Sequence, residues 1–89
     1  MMYEFMTLAD DTAIVHSEMR DDGTVKVCCE KPMIGDFKTA YCDIPGYQWY
    51  NVENYTPEEL EHLKEILKSV AHLIIEYSRT GGVLNAASF

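Results

Sequence analysis

The chain has 89 residues, 47% of them hydrophobic and 25% charged. That balance fits one globular domain over residues 1–89 with a single core, and it excludes a disordered tail. Asp and Glu number 15 against 7 Lys and Arg, for a formal net charge of −8. Direct binding to a nucleic-acid backbone is therefore not expected, because such binding must neutralise phosphates. A basic protein surface is the more natural attraction.

Residues 2–8 (MYEFMTL) are a candidate first strand. Three segments with a period of two follow, 13–20, 25–31 and 37–44, separated by DDGT and PMIGD. For the first connection, a loop of Asp21-Asp22-Gly23 with Gly23 left-handed is preferred over a tighter Asp22-Gly23 turn. It sets Met19 opposite Val25, Ser17 opposite Val27, Val15 opposite Cys29 and Glu18 opposite Lys26, which segregates apolar from charged positions. With Glu30 opposite Lys38, one sheet face holds Val15, Met19, Val25, Val27, Cys29, Phe37 and Tyr41, and is expected to take a helix. The other holds Ile14, His16, Glu18, Cys28, Glu30, Ala40, Cys42 and Ile44, too apolar for plain exposure to solvent.

Residues 45–55 (PGYQWYNVENY) read as a turn-rich connection carrying an aromatic group, Tyr47, Trp49, Tyr50 and Tyr55. Exposed Tyr and Trp make good binding anchors. In a small domain, however, Trp49 is more readily placed in the gap between sheet and helix.

The helix that follows is expected over 57–80. Thr56 is its N-cap, Pro57 its first residue and Glu59 the acceptor of a capping box, with Tyr55 and Leu60 spaced for a hydrophobic staple. Glu58, Glu59 and Glu61 suit the positive end of the helix dipole and Arg79 the negative end. Leu60, Leu63, Leu67, Val70, Ile74 and Tyr77 form a seam, widened by Ile66, Ala71, Leu73 and Ile75. Gly81 or Gly82 is placed to end the helix, leaving VLNAASF as a tail.

Three cysteines, Cys28, Cys29 and Cys42, make no disulfide framework, and the first residues lack the basic and apolar regions of a signal peptide. No apolar run approaches membrane-spanning length, so a reduced, cytoplasmic setting is the expectation. His16, Cys28 and Cys42 fall on one expected face without zinc-ligand spacing, and no metal or cofactor is expected. His16 and Ser17 are neighbours pointing to opposite faces, so they form no catalytic dyad. His62 and His72 lie among Glu and Lys on the polar side of the helix, where exposed ion pairs are the ordinary reading. No catalytic residue is assigned. The many carboxylates could imitate phosphates, although most sit at turns and caps where local chemistry explains them.

The string AHLIIEYSRTGGVLNAASF (71–89), with FKTAYCDIPGYQW before it, resembles small acidic proteins of gut-type bacteria and their mobile elements. The resemblance implies a bacterial accessory protein and assigns no functional residue.

The expected fold is α+β: a three- or four-stranded antiparallel sheet with one long C-terminal helix on one face. The expected role is a small cytoplasmic protein-interaction module, not an enzyme, that self-associates as a homodimer, with a further protein partner of unknown identity. Its candidate surface comprises Tyr47, Trp49, Tyr50, Ile14, His16, Ile44, Ile66, Leu73 and Ile75. The alternatives are an acidic inhibitor that blocks a nucleic-acid-binding enzyme, and a small enzyme or metal protein whose site is assembled from separate segments.

Overall fold

A computed structural model describes residues 2–79. It shows five antiparallel strands and one helix: β1 (Met2–Thr7), β2 (Ala13–Ser17), β3 (Val25–Met33), β4 (Asp36–Ile44), β5 (Trp49–Glu53) and α1 (Pro57–Arg79). The sheet order β1-β2-β3-β4-β5 is a plain meander, so each strand pairs with its neighbours in sequence. The α+β class agrees with the sequence reading, but the strand count is five. The added strand is β5, in the segment expected to be a connection. Its ladder to β4 is broken by a bulge, and Asn51 has a φ of 51°. A short, bulged strand carries little alternation to read. No described helix is long and apolar enough to cross a membrane.

The Asp21-Asp22-Gly23 loop forms as its residues dictate. Gly23 has a φ of 85°, its amide donates to the Arg20 carbonyl at 2.9 Å, and the Arg20 amide donates to the Thr24 carbonyl at 2.9 Å. Asp22 fastens the loop by accepting from the Thr24 amide and hydroxyl. The strands beyond it do not keep that register. His16 pairs with Val27, Val15 with Cys28 and Ile14 with Cys29, one residue away from the expected set.

The slip arises at residues 17–19. Between the Arg20–Thr24 closure and the His16–Val27 pair, β2 spends one more residue than β3. The Lys26 amide donates to Ser17 Oγ at 3.0 Å, and the Met19 amide turns away to the Ser78 carbonyl at the end of the helix, at 3.2 Å. A one-residue bulge reverses the face of every residue beyond it.

The same reversal occurs in β4. PMIGD closes as a two-residue Ile34-Gly35 turn with Gly35 at a φ of 75°, so Cys29 pairs with Ala40 and Val27 with Cys42. Pro32 is tolerated in β3 because the partner strand β2 ends at the Ala13–Glu30 pair.

Both slips move residues expected outside into the core. Ile14, His16, Ala40, Cys42 and Ile44 are buried, with Val25, Val27 and Cys29 between them. Val15 and Tyr41, expected under the helix, instead share the opposite sheet face with their partner Cys28, and Phe37, paired with Pro32, lies farther along that face. Leu63, Leu67 and Ile74 close the core from the helix, flanked by Ile66, Val70, Ala71 and Ile75.

The helix start matches its signals. Glu59 N–H donates to Thr56 Oγ1 at 3.2 Å, and Thr56 N–H donates to Glu59 Oε1 at 2.9 Å. Lys38, together with these bonds, holds the Glu59 carboxyl below its ordinary range. Thr56→Ala is expected to cost about 1 kcal/mol, read as a lower urea midpoint with unchanged slope. The proposed stop at Gly81 or Gly82 and the tail after it lie outside the described residues.

Candidate interaction surface

The predicted surface residues separate into three environments. Ile14, His16 and Ile44 are at 1%, 0% and 1% exposure, so they belong to the core and offer nothing to a partner. This corrects their assignment to an outer face, and the bulge at 17–19 and the tight Ile34-Gly35 turn are the reasons. Ile66 and Ile75 are half-buried and pack on the core, and Leu73 is also half-buried. Tyr47 and Trp49 pack against the same core, while Tyr50 lies on the opposite side of the sheet.

His16 is held as a structural group. Its Nδ1 donates to the Ser17 carbonyl at 2.8 Å, and its Nε2 is buried with no hydrogen-bond partner among the described residues. The rings of Tyr3 and Phe5 stand at centroid distances of 6.0 and 6.3 Å. Cys42 shares the helix side of the sheet, whereas Cys28 lies on the other face opposite Tyr41. Among the described residues no three His, Cys, Asp or Glu side chains are grouped to hold a metal. Burial pushes the Cys28 thiol up, opposite to what a nucleophile or metal ligand needs.

The uncovered face of the sheet carries an ordered polar and aromatic row. Val15, Cys28, Tyr41 and Tyr50 are successive partners across four strands. Tyr41 and Tyr50 stack at 5.9 Å with 22° between ring planes, and the Lys26 ammonium sits 4.9 Å above the Tyr41 ring. Tyr50 Oη donates to Asp43 Oδ1 at 2.9 Å, and Arg20 binds the same oxygen at 2.6 Å. Burial, and then Asp43 beside it, raise the Tyr50 hydroxyl above its ordinary value.

Farther along β3 and β4 lies a feature not anticipated from the sequence. The two strands run nine residues each, but β2 leaves β3 at Glu30 and β5 leaves β4 at Thr39. Among the described residues, 31–38 therefore form a two-stranded ribbon paired only with itself. At its tip Ile34 is fully exposed, with Phe37 at 54% and Met33 at 43%. The available signal was Ile34 beside Gly35 at the centre of a turn, a place where Asn, Asp, Gly, Ser or Pro usually stands.

Several carboxylates are committed to local bonds. Asp10 accepts from the Thr12 amide and pairs with Lys31 at 3.4 Å, and these contacts, led by Thr12, hold its carboxyl below the ordinary value. Glu59 pairs with Lys38. A cavity of about 270 Å³ opens at this end of the helix between Thr12, Tyr55 and Leu63, with Asp10, Glu58 and His62 at its rim. Tyr55 Oη is buried at its edge beside Thr12, and burial pushes that hydroxyl up to about 12. Its mixed rim, with Asp10 and Glu59 already paired, selects no one ligand chemistry.

Comparison with known proteins finds no family model, no curated relative and no solved structure that matches this chain.

Proposed function

We propose that this chain is a small protein-interaction module. The observation that carries the reading is the concentration of exposed large apolar side chains, Met33, Ile34 and Phe37, on one projecting ribbon. Large exposed apolar patches on soluble domains are commonly binding sites. The core does not need these residues, since it is already closed between the sheet and α1. A second copy of the chain is the weaker partner. Two copies each carry −8, and Ile66 and Ile75 of the helix seam are spent on the core.

The second reading, an acidic inhibitor of a nucleic-acid-binding enzyme, draws support from Glu30 and Glu53. Both are exposed and flank Thr39 on one rung of the sheet. Affinity capture from an extract of the producing cell, then reconstitution with each captured protein purified separately, tests both. Saturable binding of at least one purified protein is the expected outcome. If none binds, the module reading falls. Binding that collapses with added salt would favour the acidic inhibitor, and binding that persists would favour the apolar ribbon.

A further inference from the structure

We infer that the β3–β4 ribbon is an insertion element whose Ile34 enters an apolar cleft, rimmed by basic side chains, on a partner protein. The inference rests on the module reading above and adds the part of this chain that binds and the chemistry of what receives it.

The ribbon has the reach for insertion. Lys31, Pro32 and Met33 extend it beyond the last shared rung by about 10 Å, at roughly 3.3 Å per residue. Gly35 has no heavy atom near the position a Cβ would take, so the tip stands clear of the body. That depth suits a cleft better than a flat surface.

It is also braced in advance. Asp36 Oδ1 accepts from the Phe37 amide at 2.7 Å. From beyond the end of β5, Asn54 Nδ2 donates to the Phe37 carbonyl at 2.7 Å and to Asp36 Oδ2 at 3.3 Å. On the helix side, Lys31 and Lys38 are tied to Asp10 and Glu59. A ribbon held in its final shape loses little conformational freedom on binding.

The same bonds set the charge around it. The two lysines of the ribbon are neutralised by their partners, whereas Glu30, Asp36 and Glu53 form no ion pair among the described residues. Glu30 and Glu53 lie one same-face step behind the Pro32–Phe37 pair. The apolar tip is thus backed by unpaired negative charge, on a chain of net charge −8. A lipid surface that is neutral or anionic offers this arrangement no complement, and neither does a second copy. A protein cleft with Lys or Arg at its rim does.

The test uses the full chain and the captured partner, purified, in a calorimetric titration. Ile34→Asp is expected to weaken binding by about 30-fold or more, as loss of a central anchor does. Ile34→Ser, the milder second variant, should weaken it in the same direction, and both should melt with wild-type. Met2→Asp, at an exposed apolar position on the edge strand β1, should leave affinity unchanged. Glu30→Lys with Glu53→Lys should slow association by about tenfold.

Retained binding by Ile34→Asp overturns the insertion while leaving the module reading standing. Unchanged association in the charge-reversed variant overturns the basic rim. Ile34-dependent binding to phosphatidylcholine vesicles, or Ile34-dependent dimerisation in sedimentation equilibrium, assigns the tip to lipid or to a second copy and likewise overturns the inference.

Discussion

Raising the pH from 9 to 11 is expected to unfold this protein, under reducing conditions, in one steep transition. Cys29 and Cys42 are both fully buried. Burial, with Asp43 adding to it, pushes the Cys42 thiol up to about 12, and burial pushes the Cys29 thiol higher still. A group whose folded value is raised contributes its full stability below the unfolded value and loses it as pH rises towards the folded one. Above the ordinary thiol range, near pH 8.5, the unfolded chain ionises while the native thiols cannot. Each group then costs about 1.4 kcal/mol per pH unit, so two cysteines over two units remove about 5 kcal/mol. That is comparable to the whole stability of a marginal domain. Tyr55, raised to about 12 by burial, adds to the loss above pH 10. Urea midpoints measured at intervals between pH 8 and 11 would show this as a falling limb. Cys42→Ala should make that limb shallower. Stability that stays flat across the range would mean the two thiols are not enclosed as described.

Trp49→Ala is expected to cost about 3 kcal/mol, at the lower end for a tryptophan because the side chain is half-buried. Trp49 pairs with Cys42, whose side chain is in the core, so the indole lies on the helix side of β5 and packs against that core. Its Nε1–H is buried with no hydrogen-bond partner among the described residues, which offsets part of the burial gain. Trp49→Phe should therefore lose clearly less than Trp49→Ala, since it keeps a ring and removes the unpaired donor. Native Trp49 fluorescence should be blue-shifted and move red on unfolding. An emission already at the solvent-exposed wavelength, with an unchanged melt for Trp49→Ala, would return Trp49 to the candidate binding residues.

Which elements are legible along the chain follows the range of the forces involved. Thr56, Pro57 and Glu59 specify the start of α1 by bonds within one turn, and Gly23 specifies its loop by a single backbone angle. These signals are complete within a few residues, so they were legible. The apolar seam of the helix was legible for a related reason, since a long run averages over many residues. The period-two patterns of β2 and β4 are equally plain, yet the structure turns the opposite faces inward. Alternation says which residues share a face but not which face meets the helix.

The α+β class, the long C-terminal helix and the positions of four strands follow from the amino-acid sequence by itself. Only the tertiary structure decided the register, because a one-residue bulge at Ser17 to Met19 is stabilised by a distant carbonyl, that of Ser78 at the other end of the chain. It also decided the candidate surface. The register placed Ile14, His16 and Ile44 inside, and the unequal strand lengths left Met33, Ile34 and Phe37 beyond the edge of the sheet. A residue's own chemistry sets its preference for water. Whether that preference is met depends on neighbours that only the assembled sheet supplies.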